Sequence, residues 1–110
     1  MKKTYEKNVF SKIISGEIPC DKVFENDTII AFHDINPRAK THVLVIPKAN
    51  HVDFSSFVEN ASNIDFIQFF YGVNFVAEEV LKLEHFRIQI NNGAGAGQEV
   101  FHFHVHILAN

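Results

Sequence analysis

The chain closes on Phe101-His102-Phe103-His104-Val105-His106-Ile107-Leu108, where apolar residues and histidines alternate one for one. A repeat of two is the spacing of a β-strand, in which side chains two apart share a face. A closing strand over Val100–Leu108 sends His102, His104 and His106 one way. It sends Phe101, Phe103, Val105 and Ile107 the other way, into a core.

Every imidazole so placed must find water, a protein partner or a ligand. Three in register therefore point beyond three merely satisfied polar residues. One metal ion suits the row poorly, because a rise of ~3.3 Å per residue puts the outer Cα atoms about 13 Å apart and zinc binds nitrogen at ~2.0–2.1 Å. Two of the three with His42 or His51 remain possible zinc ligands. An extended anion fits better, since histidine is a nucleophile when neutral and titrates near neutral pH. Just ahead of the strand lies Asn91-Asn92-Gly93-Ala94-Gly95-Ala96-Gly97-Gln98. A strand follows it rather than a helix, so it is no dinucleotide fingerprint. Its small residues are expected to let backbone N–H groups approach a phosphate.

The rest of the chain narrows the setting. At 110 residues it is read as one domain, 1–110. A net charge of −3 with scattered basic residues offers neither a nucleic-acid surface nor a membrane patch. No apolar run reaches signal-peptide or transmembrane length, and the lone Cys20 fits a reducing compartment. The expected location is the cytoplasm.

Asn8 is placed to cap a short helix through Ile14 that Gly16 ends. Asp21–Glu25 and Thr28–His33 read as strands about an Asn26-Asp27 turn, and Thr41–Pro47 as a third strand. A helical turn is expected at Phe54–Val58. Phe66, Phe69, Phe70, Val73, Val76, Ala77, Val80 and Leu83 then recur at helical spacing from Asn63 onward. Phe86–Asn91 returns to a strand pattern. The sum is an α+β domain with a mostly antiparallel sheet and its helices on one face. His33 and His85 are expected at the surface.

The stretch Gly97-Gln98-Glu99-Val100-Phe101-His102-Phe103-His104-Val105-His106-Ile107-Leu108 resembles the signature of the histidine triad (HIT) superfamily, three histidines separated by apolar residues. Phe10-Ser11-Lys12-Ile13-Ile14 with Gly16-Glu17-Ile18-Pro19, Ala31-Phe32-His33-Asp34-Ile35-Asn36-Pro37, and Thr41-His42-Val43-Leu44-Val45-Ile46-Pro47-Lys48 resemble the Hint branch, in the family's order. The resemblance implies the HIT fold: a five-stranded antiparallel sheet with two helices, extended across a homodimer. It implies a nucleotidyl hydrolase cleaving purine nucleoside phosphoramidates, or related AMP-linked compounds, at the α-phosphate without a metal or other cofactor. His104 matches the family nucleophile, flanked by His102 and His106 as donors to the phosphate or leaving group, with His42 in support. Asn91 and Gln98 match phosphate-contacting amides, and Glu99 stands beside them where some relatives carry a serine near the leaving group. Asp34 matches the acid that takes the ribose hydroxyls. Phe10, Ile13, Ile18, Phe32, Ile35 and Leu44 match the base pocket. The partner implied is a purine nucleotide of AMP type, not nucleic acid or membrane. Asn8 and Ser11 replace the two cysteines that hold a structural zinc in many bacterial relatives, so no zinc is expected. A nucleotide-binding scaffold with little turnover and a zinc-binding protein are the alternatives. Many Hint proteins continue past the position of Asn110 with a tail that reaches the partner's site, so looser leaving-group selectivity is expected here.

Overall fold

Residues 3–110 are described by a computed structural model. Asn8 accepts the backbone N–H groups of Phe10 and Ser11 and so starts α1, Val9–Ser15; the Ser11 hydroxyl reciprocates at the Asn8 N–H. Gly16 ends the helix at φ 84°, a left-handed conformation that lacks strain only without a Cβ. The strands are β1 (Lys22–Glu25), β2 (Ile29–His33), β3 (Thr41–Pro47), β4 (Arg87–Gln89) and β5 (Val105–Ala109). They form one antiparallel sheet in the order β1-β2-β3-β5-β4.

The helices do not share one face of that sheet. Ile29, Ala31, Val43, Val45, Val105 and Ile107 pack beneath α2 (Phe54–Asn60) and α3 (Asn63–Phe75). Ile30, Phe32, Leu44 and Ile46 turn the other way, to Phe10 of α1. Strands β2 and β3 are therefore buried on both faces, which explains why Ile29-Ile30-Ala31-Phe32 and Val43–Ile46 are unbroken apolar runs. Among the described residues the α-helices number three rather than two.

Two further expectations need correction. The closing strand begins at Val105, not Val100, so His102 and His104 lie on the segment leading into it; Phe101 is 42% exposed and lies outside the core. The long helix also does not run evenly to Leu83. After Phe75 it widens into a π-helical turn over Val76–Val80, with the Leu81 N–H bonded to the Val76 carbonyl, and Lys82 then turns left-handed at φ 57°.

The main core is an aromatic cluster. Phe103 is 1% exposed and stacks on Phe57 with ring centroids 4.7 Å apart, while Phe69 meets it at 5.2 Å. Gly72 lets α3 lie close against β2, because a Cβ there would stand 2.8 Å from Ile29 Cδ1. Among the described residues no helix is long and apolar enough to cross a membrane. Truncating a buried phenylalanine removes its transfer energy and leaves a cavity. Phe103→Ala should therefore lower unfolding free energy in urea by about 3–5 kcal/mol, against less than about 1 kcal/mol for Phe101→Ala.

Candidate active site

Strand register assembles the histidines. In the β3–β5 pair Leu44 stands opposite His106 and His42 opposite Leu108, and opposed residues share a face. His42 and His106 are thus diagonal neighbours on the α1 side, with His42 Nε2 2.9 Å from His106 Nδ1. His104 comes just before β5, its ring centroid 5.0 Å from that of His106 and 5.0 Å from Phe10, which meets it edge-on.

Hydrogen-bond partners assign a tautomer to each neutral ring. The backbone N–H of Arg38 donates to His42 Nδ1 at 3.1 Å, so the His42 proton sits on Nε2. That proton has two acceptors in reach, His106 Nδ1 at 2.9 Å and Asp34 Oδ2 at 3.4 Å, and the shorter contact takes it. His106 is then protonated on Nε2, a buried N–H with no partner among the described residues. His104 donates its Nδ1–H to the carbonyl of His102 at 2.7 Å, which leaves Nε2 with a free lone pair. His102 donates Nε2–H to the Pro47 carbonyl at 2.7 Å and accepts the Tyr5 hydroxyl on Nδ1 at 2.6 Å.

The rings stay neutral because burial disfavours their charged forms. Desolvation pushes His102 and His106 down to about 4, helped by repulsion from neighbouring imidazoles. It also lowers His104 and His42, although Asp34 pulls both the other way.

His102 is fully buried with both ring nitrogens engaged inside the protein, so neither is turned toward a ligand. What it offers the neighbouring ring is its carbonyl. Gln98 is similarly occupied: its amide donates to the Val52 and Val100 carbonyls and accepts the Gly93 N–H, pinning the small-residue loop. Within that loop Ala96, Gly97 and Gln98 direct their N–H groups to the carbonyls of Gly93 and Ala94, so these three are not free for a phosphate. Gly97 closes the turn at φ 95°. Asn91 is half-buried and accepts from Gln89, and Glu99 is exposed.

Asp34 is half-buried beside His42, with Oδ1 held by the Asn36 N–H. Phe10, Phe32 and Leu44 form a packed floor with Ile30 and Ile46, and Ile13 lies against it. Ile18 and Ile13 line an adjoining cleft of about 390 Å³ with Ile14 and Cys20. Ile35, 93% exposed, stands outside this cluster. His33 and His85 are exposed, as expected.

Among the described residues, one trio brings three metal-type donors together: Asp34, His42 and His106. It fits an ion poorly. Ligation through His42 Nε2 would move its proton to Nδ1, against the Arg38 N–H, donor facing donor. His51 is not in that trio; it packs edge-on against Phe57.

Three contributors escaped the sequence reading: Tyr5, the Arg38 backbone N–H and Gln89, which lies opposite His106 in register. Only Gln89 carried a signal, from its place in the strand pattern.

The chain belongs to the HIT family: the family model for the HIT domain matches residues 15–110. It is 47% identical over 111 residues to a 13.2 kDa HIT-like protein of Azospirillum brasilense, covering 99% of this chain and 91% of that one. It is 40% identical over 101 residues to the adenylylsulfatase HINT1 of Arabidopsis thaliana, covering 91% of this chain and 69% of that protein. The fold superimposes on a HIT family hydrolase from Legionella pneumophila with a TM-score of 0.84 at 36% identity, over 94% and 93% of the two chains.

The buried neutral rings have a thermodynamic consequence. Free histidine titrates near ~6.5, and His102 and His106 near 4 when folded. Between those values the unfolded chain binds protons that the folded chain does not. Stability is therefore complete above ~6.5 and falls with pH, by up to about 1.4 kcal/mol per unit for each ring. Urea midpoints should drop between about pH 7 and 5, and His106→Asn should make the drop shallower.

Proposed function

We propose that this chain is a nucleotide-binding hydrolase that cleaves purine nucleoside phosphoramidates, or related AMP-linked compounds, at the α-phosphate through a nucleotidyl-His104 intermediate. The observation that carries the proposal is the pairing of a free nitrogen lone pair on His104 with an unpartnered N–H on His106. One attacks and the other donates, on neighbouring rings in a water-poor site.

In the first step His104 Nε2 forms a bond to phosphorus as the bond to the leaving group breaks. The leaving amine departs with its electron pair and takes a proton from water, which is returned to solvent when a second water attacks phosphorus. The His104 ring becomes cationic, and the His102 carbonyl at Nδ1–H stabilises that charge. His106 Nε2–H donates to a phosphate oxygen, and His42 holds the His106 ring in the tautomer that permits it. Water then attacks phosphorus, the bond to His104 breaks, and AMP leaves. Asp34 presents two acceptor oxygens suited to the ribose hydroxyls. The apolar floor of Phe10, Phe32 and Leu44, with Ile13 and Ile18, suits a purine; Ile35 beside Asp34 is apolar surface left for a ligand to cover. Asn91 and Glu99 lie at the phosphate end, whereas Gln98 shapes the loop. No step calls for a metal. The Arabidopsis relative's name, adenylylsulfatase, supports the wider class of AMP-linked substrates.

We also propose a homodimer with the two sheets joined at β4. This strand is an edge, paired only with β5. Ile88 faces the α3 side and is 44% exposed, and Ile64, Ile67 and Tyr71 of α3 are exposed as well. An unpaired strand edge and an exposed apolar helix stripe are each surface that a second copy would cover.

His104→Ala should lower kcat/KM on an adenosine phosphoramidate by at least about 1,000-fold while retaining AMP binding. Rapid-quench labelling should trap nucleotidyl-protein in the parent chain and none in the variant. Turnover of the variant near the parent rate would overturn the assignment. Sedimentation at micromolar concentration should show twice the chain mass, and Ile67→Glu should shift the population toward monomer; a parent chain that sediments only as monomer would count against the dimer.

A further inference from the structure

The segment ahead of α1 reaches the triad from outside the part of the chain that the family model matches. Lys3 pairs with the Asp53 carboxylate, whose other oxygen caps α2 at the Ser56 N–H, 2.8 Å away. Asn8 caps α1. Between these two anchors Tyr5 lies half-buried, its ring edge-on to His102 with centroids 5.5 Å apart.

The hydroxyl of Tyr5 has a definite task there. His102 has no exposed surface, and its Nε2–H is committed to the Pro47 carbonyl, so Nδ1 must find a donor or remain a buried lone pair without one. Tyr5 O–H is that donor, at 2.6 Å. The carbonyl of the same residue holds His104 Nδ1–H. The ring and the carbonyl belong to one residue, so a shift of the ring moves the acceptor that orients the nucleophile.

We propose that Tyr5 is a positioning residue for the reaction: its hydroxyl holds the His102 ring in one tautomer and orientation, and through the His102 carbonyl it aligns His104 for attack. This rests on His104 being the nucleophile. It adds that the segment before the matched domain helps to complete the site. Asp53, tied to Lys3 and to α2, keeps that segment in place.

Tyr5→Phe is the test, because it keeps the ring and removes only the donor. Loss of one buried hydrogen bond in the alignment should lower kcat on an adenosine phosphoramidate about tenfold with KM within about twofold. Nitrogen-15 spectra of the ligand-free parent chain should show His102 with Nε2 protonated and Nδ1 as a hydrogen-bonded acceptor. In Tyr5→Phe the Nδ1 signal should move toward that of an unbonded nitrogen, or the proton should change nitrogens. An unchanged kcat, an unchanged His102 spectrum, or a parallel loss in kcat, KM and melting temperature would overturn the proposal. A parent spectrum with Nδ1 protonated would overturn it without any variant. The spectra require no turnover, so they distinguish failure here from failure of the His104 assignment.

Discussion

The register between β3 and β5 is the constraint on which everything at the site depends. With Leu44 opposite His106, His42 falls diagonal to His106, and both rings turn to the side that α1 covers. A slip of one residue would carry the imidazoles to the other face, into the aromatic core, and bring Val105 and Ile107 out. The hydrophobic pattern forbids that slip. The forces that select the fold are therefore the ones that place the chemistry, and no separate device is needed to gather the histidines.

Gathering four imidazoles creates an electrostatic difficulty that the structure resolves by holding them neutral. Burial removes the water that would stabilise their charged forms, and fixed partners on the ring nitrogens then set which of them carries the proton. The Arg38 N–H, the Pro47 carbonyl, the His102 carbonyl and the Tyr5 hydroxyl supply four of those constraints. Three of the four are backbone groups, and the fourth lies on a segment without periodicity. The outcome is two sets of hydrogen bonds, one leaving a lone pair on His104 and the other an N–H on His106 without a partner among the described residues, the two groups the proposed reaction needs.

That division explains what was legible from sequence. The alternation at the end of the chain showed which residues share a face, and the spaced motifs pointed to the family. Strand and helix placements followed closely where caps and turns carried them, as at Asn8, Gly16 and Asn26. Periodicity does not show where pairing begins, so the alternation extends the strand over His102 and His104 although pairing starts only at Val105. The unbroken apolar runs of β2 and β3 did carry the signal for burial on both faces, but alternation elsewhere drew attention to a single covered face. Side-chain type suggests that Gln98 and His102 contact phosphate; in the fold their polar atoms are already engaged. Sequence shows which groups can donate, and only packing shows which remain free. The role of Tyr5 left no trace at all, because one hydroxyl on an irregular segment has no period.

Phe103 sits between His102 and His104, anchored in the stack with Phe57 and Phe69 on the far side of the sheet. The two histidines cannot be re-aimed without disturbing that anchor, and a looser stack would be felt one peptide bond away at the proposed nucleophile. Variation in a lineage of such proteins is thereby channelled. Exposed residues such as Glu99 and Ile35 are free to vary, while His104 inherits the rigidity of the core. The surface can then change without the geometry of the proposed nucleophile changing with it.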